Sequence, residues 1–396
     1  MMAAGRAAER GLSVLLLEKN KQLGQKLAIT GGGRCNITNA EENEQLLLSH
    51  YGAAEKFLYS SFSQFSTDDS FSFFGGLGLP LVVQEGKRVF PKTEKATDVV
   101  KALQGYLDKG NVEVRTKAAV TKVFSTLKSI TGVEVNAETL TADSFVFATG
   151  GQSRPETGSS GDGFSWLKDL GLAIEDPTPR IVPLAVRDSW ILSLAGVSLN
   201  DVKITFYAAG EKAFVLKGRI LCTHFGLSGP LILNAAGQVA DLLHVGPVTA
   251  AIDVFPKLDV GVLDKHVTNI FDKNKNKELK NVMKFVTPSG TSAAILSLLP
   301  NIDIEKKVHS VSKTERKQIV HLLKALPVVI IGLMGYERAV VADGGLLISE
   351  VDGKTMRTRK FDNLFVTGDL LHIKRPSGGY SLQLCWTTGW VAGSHV

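Results

Sequence analysis

Apolar and polar positions alternate along the chain with two different periods, and together they outline a mixed α/β protein. Alanines 3, 4, 7 and 8 share one small-residue face of a helix, with Arg6, Glu9 and Arg10 elsewhere and Gly11 placed as its carboxyl cap. Ser13–Leu17, apolar from Val14 on, reads as a buried strand that runs into Glu18. Residues 41–79 read as helical and loop segments rich in phenylalanine, which is expected to be core. Lys87–Pro91 reads as a short basic strand. A helix is predicted over Thr97–Leu107, where Val99, Val100, Leu103 and Leu107 fall on one side. Val112–Val114, Ala119–Phe124 and Thr131–Val135 show the two-residue period of strands and are expected to build a small β-meander. Ser144–Ala148 reads as a buried strand that stops at Thr149-Gly150-Gly151. Leu364–Val366 reads as a second, stopping at Thr367-Gly368-Asp369.

Prolines 177, 179 and 183 mark a change of character. Beyond them, Leu184–Val186, Val202–Tyr207, Ala213–Lys217, Ile220–Thr223 and Val248–Val254 are short strands separated by turn residues, which suits a β-barrel. Residues 258–326 turn helical, and Ser312 with Glu315 forms a capping-box pattern before the last helix. Pro327–Met334 and Arg338–Val341 return to strand. The expected organisation is a discontinuous α/β domain over 1–182 and 343–396. A barrel over 183–257 interrupts it, with a helical insert at 258–326 and return strands at 327–342.

Composition narrows the classes. A length of 396 residues exceeds one core, and 44% hydrophobic with 21% charged residues suits a soluble globular protein. The net charge of +6 is modest and dispersed, without an arginine-rich tract. Nucleic acid is therefore not the expected partner, whereas an anionic substrate or cofactor is. Three widely spaced cysteines give neither a disulfide framework nor a zinc pattern, which points to a reducing, cytoplasmic setting. No metal site is expected. The longest apolar run, Leu326 to Gly335, is too short for a membrane span.

The chemistry concentrates at Thr30-Gly31-Gly32-Gly33-Arg34-Cys35-Asn36. Glycines without Cβ atoms let backbone N–H groups approach an anionic or planar ligand, and Arg34 adds a fork of donors. A flexible glycine loop beside a surface arginine is the plainer reading of the same residues. The helix and strand that end at Glu18 are the second half of a nucleotide-binding βαβ unit, in which an acid about 20 residues past a glycine loop binds ribose hydroxyls. Counting back from Glu18 places that loop ahead of Met1, so the first strand and its phosphate-binding glycines are expected to precede this sequence. Gly158–Gly163 precedes a helix at Phe164–Leu170, with Asp162 as its expected N-cap. Gly378-Gly379-Tyr380-Ser381 opens an apolar helix at Leu382–Gly393, a terminus suited to a ring carbonyl that gains negative charge.

In order and spacing, these elements resemble the bacterial flavoproteins grouped as NAD(P)/FAD-dependent oxidoreductases of the BaiN/YhiN type. The resemblance rests on Thr30–Asn39, Arg88–Pro91, Ala148–Gly151, Thr223–Pro230, Asp343–Gly345, Thr367–Asp369 and Gly378–Gly379. It implies a glutathione-reductase-like FAD-binding domain with an inserted barrel and helical insert. It implies FAD as cofactor, NAD(P)H as a candidate electron donor and a small organic substrate.

By that resemblance Glu18 and Lys19 lie at the adenosine ribose and Val120 meets the adenine through its backbone. Gly32, Gly33, Arg34, Cys35 and Asn36 lie along the cofactor, and Thr149, Gly150 and Gly151 border the nucleotide. Gly368 and Asp369 hold the ribityl chain, and Gly378, Gly379, Tyr380 and Ser381 face the isoalloxazine. Tyr380 and His372 are the candidate catalytic side chains, with packing or surface roles as the alternatives. The cations His372, Lys374 and Arg375 stand where many members are acidic, and they are expected to raise the flavin potential. The Gly-x-Gly-x-x-Gly loop of these flavoproteins is not in this sequence, so weak FAD binding is expected of the chain as it stands. A flavin oxidase using oxygen and a non-catalytic, RNA-associated flavin protein are the rival functions.

Overall fold

Leu15–Glu18 (β1) pairs in parallel with Glu113–Thr116 (β2), with Leu15 opposite Glu113 and Glu18 opposite Thr116. In the computed structural model, which describes residues 1–396, both strands belong to one of two compact units. That unit comprises Met1–Pro179 and Ala339–Val396, and the other comprises Arg180–Arg338. β2 is therefore not part of the meander expected from its alternation. The preceding helix, Ala96–Lys109, is a crossover that lays the chain back alongside β1, and a period of two cannot distinguish that from a hairpin partner. The ladder continues past β1, because Ala118 N–H donates to Glu18 O at 2.9 Å and Lys117 N–H to Asn20 O at 2.9 Å. The meander proper is Val120–Ser125, Ile130–Val135 and Glu138–Leu140.

A second parallel pair, Phe145–Phe147 (β3) with Leu364–Val366 (β4), sits in the main apolar cluster of this unit. Helix α1 (Met2–Glu9) packs on the last helix through small residues of both. Cβ atoms added at Gly389 and Gly393 would press on Met2 and Ala3. Helix α2 (Gln25–Gly33) is helical only in its first turns. Helix α3 (Asp162–Asp169) follows β3, and α4 (Tyr380–His395) follows β4, with both faces of α4 largely buried.

In the other unit six strands close a barrel, in the order Leu184–Val186, Gly226–Ser228, Glu211–Thr223, Ser198–Ala208, Val248–Asp253 and Leu326–Leu333. Closure needs Gly226, whose φ is +147° and whose added Cβ would fall well under 3.0 Å from Leu184 O. Between the last two strands lie four short helices, Val260–Lys273, Leu279–Val282, Ser292–Leu296 and Lys313–Lys324. The capping box forms as read: Glu315 N–H donates to Ser312 Oγ at 3.2 Å, and Ser312 N–H to Glu315 Oε2 at 2.8 Å. Arg338–Val341 does not return to the barrel as a strand. Residues 336–338 form a turn, and Val341–Leu346 is a strand of the first unit, where Gly344 lies against Pro177. No helix is long and apolar enough to cross a membrane.

Candidate functional site

The carboxyl ends of β3 and β4 carry the first group of residues. Thr367 N–H donates to Phe147 O at 3.1 Å, so the turn after β4 leaves beside the end of β3. Gly368 takes φ +63° and donates its N–H to Thr388 Oγ1 at 3.0 Å, which anchors the Asp369 turn to the middle of α4. A Cβ at Gly151 would stand 3.3 Å from Asp369 O. The Asp369 carboxylate pairs with Arg375 through Oδ1 and lies 3.7 Å from Lys26 Nζ through Oδ2. Lys26 in turn donates to Ser153 Oγ at 2.8 Å, and Arg375 Nε donates to Ser381 Oγ at 3.0 Å. Burial pushes the Asp369 carboxyl up, but the charges of Arg375 and Lys26 outweigh it and hold the group below the usual carboxylate range. Cys385 Sγ lies 4.0 Å from Asp369 Oδ1, and burial together with that charge pushes its thiol up to about 12. The thiol is therefore protonated and inert.

The glycine stretch forms the second group. After Ile29 the helix unwinds, with Thr30 extended and Gly31, Gly32 and Gly33 at φ +56°, +68° and +84°. A Cβ at Gly31 would come 2.9 Å from Asn36 N, whereas at Gly32 or Gly33 it would meet nothing within 4 Å. Gly31 therefore serves the fold, and the next two leave backbone open to a ligand. The Arg34 guanidinium stacks 4.5 Å above Phe90 and reaches Glu94 at 3.6 Å, with its side chain 40% exposed. Cys35, expected along the cofactor, is fully buried in a left-handed conformation, backbone and side chain alike, and burial pushes its thiol up to about 12, so it offers no surface to a ligand. Asn36 Oδ1 accepts from Val89 N–H at 3.2 Å, and Thr38–Asn39 pairs with Arg88–Val89.

This early segment meets the late one directly. Asn39 Nδ2 donates to Gly378 O at 3.0 Å, Trp386 Nε1 donates to Ile37 O at 2.9 Å, and Thr38 Oγ1 donates to the buried Gln383 Oε1 at 2.7 Å. Gly379, at φ +108°, lies so close to Thr38 that a Cβ would fall well under 3.0 Å from its carbonyl. The Tyr380 ring packs 4.6 Å from His50, and its backbone carbonyl accepts from Tyr51 Oη at 2.9 Å. Burial, then the charge of Glu41, raise its phenol pKa. His372 donates its backbone N–H to Leu346 O at 2.8 Å, and its Nδ1 is buried without a partner. No hydrogen bond or ring contact joins His372 to Tyr380. Of the three cations expected to act together, Lys374 is exposed while Arg375 is buried against Asp369, so they do not form one group.

Glu18 anchors the third group. Its Oε1 accepts from Asn20 N–H at 2.8 Å, while Lys19 pairs with Asp162 at 2.6 Å and with Ser160. Asp162 is not the N-cap of α3. Gly161, at φ +85°, takes that position, and Asp162 turns to Lys19, because the loop is drawn toward β1 by Asn20 Nδ2, which donates to Thr157 O at 3.0 Å. Burial raises the Asp162 carboxyl, but the hydrogen bonds of Lys19 and Ser160 bring it net below its ordinary value. Val120 follows Ala118, which is bonded to Glu18, and so lies at the same strand end. Thr149 turns its hydroxyl against Gly163, and Gly150 lies against Ser159, linking this group to the Asp369 group. Lys26 and Ser153 join the candidate site without having been singled out by pattern, and the buried Gln383 braces it from behind. The one available signal was an uncapped helix start, Gly24-Gln25-Lys26, just ahead of the glycine stretch.

Parallel strands that lead into Glu18 and Asp369, with glycine backbone left open between them, define a Rossmann-type fold. The chain matches the HI0933-like protein Rossmann domain over residues 1–395 and belongs to that family. It is 25% identical over 381 residues to the 3-dehydro-bile acid delta(4,6)-reductase of Clostridium scindens, covering 96% of this chain and 91% of that one. It is 26% identical over 410 residues to the ribosomal RNA dihydrouridine synthase of Escherichia coli, covering 100% and 95%. Among solved structures, the 3-ketosteroid-delta4-(5alpha)-dehydrogenase of Rhodococcus jostii, in complex with 4-androstene-3,17-dione, superposes with TM-score 0.54 at 13% identity. That match covers 99% of this chain and 93% of the other. A flavocytochrome c3 fumarate reductase gives TM-score 0.54 at 15% identity, covering 100% and 75%. At such identities the likeness is one of fold.

The residues present fit FAD. Gly32 and Gly33 present left-handed backbone with free space, and two carboxylates at strand ends suit sugar hydroxyls. Lys26 and Arg375 add two cations at Asp369.

Proposed function

We propose that FAD lies along the carboxyl edges of the two parallel strand pairs, and that the chain reduces a polarised carbon–carbon double bond of an organic substrate with electrons from NAD(P)H. The convergence of Lys26, Gly151, Asp369 and Ser381, from four separate stretches of sequence, carries this reading. When bound, the isoalloxazine supplies two-electron transfer; the protein binds, orients and shields it. In this reading Glu18 accepts the adenosine ribose hydroxyls and Asp369 a ribityl hydroxyl. Gly150 and Gly151 border the nucleotide, and the Val120 backbone meets the adenine. The uncapped start of α4, at Gly379 to Ser381, directs N–H groups at the ring carbonyl that becomes negative on reduction. Tyr380 keeps its proton through the neutral range, and His372 is the other proton-bearing side chain on this segment.

The relatives support the substrate class. One is named for reduction of a bile acid and the other for a dihydro nucleoside in ribosomal RNA. The second name favours an RNA-borne base as the alternative substrate. The test is anaerobic reduction of the flavin-loaded chain with NADH or NADPH, followed by stopped-flow mixing with a cyclic enone, with ribosomal RNA or with oxygen. Reoxidation by the enone or the RNA, with two hydrogens gained by the product, is expected to outpace oxygen. Oxygen faster than either acceptor would make the chain an oxidase and overturn the proposal.

A further inference from the structure

Lys26 and Arg375 share a single carboxylate. Asp369 is the one acid that pairs with either of them, so the cluster carries one positive charge beyond neutrality. Arg375 is spent: its side chain is 2% exposed, and its donors go to Asp369, Ser381 Oγ and Ile373 O. The nearby Cys385 thiol is protonated and contributes no negative charge. Lys26 differs. It is 25% exposed, its one hydrogen bond goes to a neutral hydroxyl, and its 3.7 Å separation from Asp369 is too long for a hydrogen bond. An ammonium has three donors, so two of them are uncommitted. Partly buried cations are retained where a counter-charge meets them.

We infer that Lys26 is the cation that meets the diphosphate of the bound dinucleotide, with the Asp369–Arg375 pair fixing its position without neutralising it. The inference rests on the FAD reading above. The excess charge is present whatever the redox state, so its partner is a permanent anion. The diphosphate is one, whereas the ring carries negative charge only when reduced. Lysine also suits a phosphate, which accepts a compact point charge from any direction. Ser153, whose hydroxyl accepts from Lys26, holds the ammonium at the carboxyl edge of β3, next to Gly151.

The experiment measures dissociation constants of the full chain for FAD and for riboflavin, which lacks the diphosphate, at low and high salt. The variants are Lys26→Gln and Lys26→Arg, each checked for an unchanged melting temperature. Lys26→Gln is expected to weaken FAD about 10- to 100-fold, to flatten the salt dependence and to leave riboflavin unchanged. Lys26→Arg is expected to stay within a few-fold of the parent. Equal losses for FAD and riboflavin, or no loss for either, would overturn the role of Lys26. A parent chain that binds neither flavin would instead count against the FAD reading itself.

Discussion

Gly379→Ala is expected to destabilise the first unit by on the order of 3 kcal/mol or more, the sum of left-handed strain and overpacking. At φ +108° an L-residue is strained wherever it sits, and here the added methyl would also be driven into the Thr38 carbonyl. The obstacle is backbone, pinned by the Thr38–Gln383 hydrogen bond and the pairing of Thr38 with Val89, so no side chain can swing aside. Gly32→Ala is the internal contrast. Its φ of +68° carries a cost of about 1 kcal/mol, but its methyl meets nothing within 4 Å. Denaturant midpoints of the two variants measure the difference. Equal stability of Gly379→Ala and the parent would show that the early and late segments are not in contact at Thr38.

Asp369→Asn is expected to cost about 3–5 kcal/mol near neutral pH, because it strands Arg375 as a buried cation without its carboxylate. The pH dependence has a definite sign. The folded carboxyl titrates below its unfolded value of about 4, so its stabilisation is complete above that value. It is lost as pH falls through the folded pKa, where the parent binds the proton that the amide mimics. The stability gap between parent and Asp369→Asn should therefore narrow below about pH 4. A gap that stays constant from neutral pH into that range would mean that the carboxylate gains nothing from its two cations.

Much of the fold was legible because buried parallel strands have a plain signature: an apolar run that ends abruptly on a chemically distinct residue. Ser13–Glu18 and Leu364–Asp369 both show it, and both lie where a ligand edge is expected. Most barrel strands and the Ser312 capping box were legible for equally local reasons, but Glu211–Thr223 was read as two strands and the short Gly226–Ser228 not at all, because its glycine and serine look like turn residues. Pairing was not. Glu113–Thr116 alternates like a meander strand, and only the crossover helix before it decides that its partner is β1. Asp162 had the composition of an N-cap, yet a tertiary partner, Lys19, took its carboxylate and left Gly161 to start the helix.

At the site, the glycine triplet signalled open backbone but not which glycines were open. The close approach of Gly31 to Asn36 is a property of the folded loop. Nothing near Lys26 in sequence reveals Asp369 and Ser153 as its neighbours. Arg375 was read as a charge facing the flavin. Its burial against Asp369 turns it into a fixed structural counter-ion and moves the free positive charge to Lys26.

The central claim is that one FAD spans residues drawn from both ends of the chain. Titration of the chain with FAD, followed by quenching of flavin fluorescence, tests it most directly when the parent is compared with Gly32→Leu. That substitution places a side chain where the open backbone would meet the cofactor. Saturable binding of one FAD per chain, abolished in a folded Gly32→Leu, is the expected result. A parent that binds no FAD, or a variant that binds it equally well, would contradict the claim.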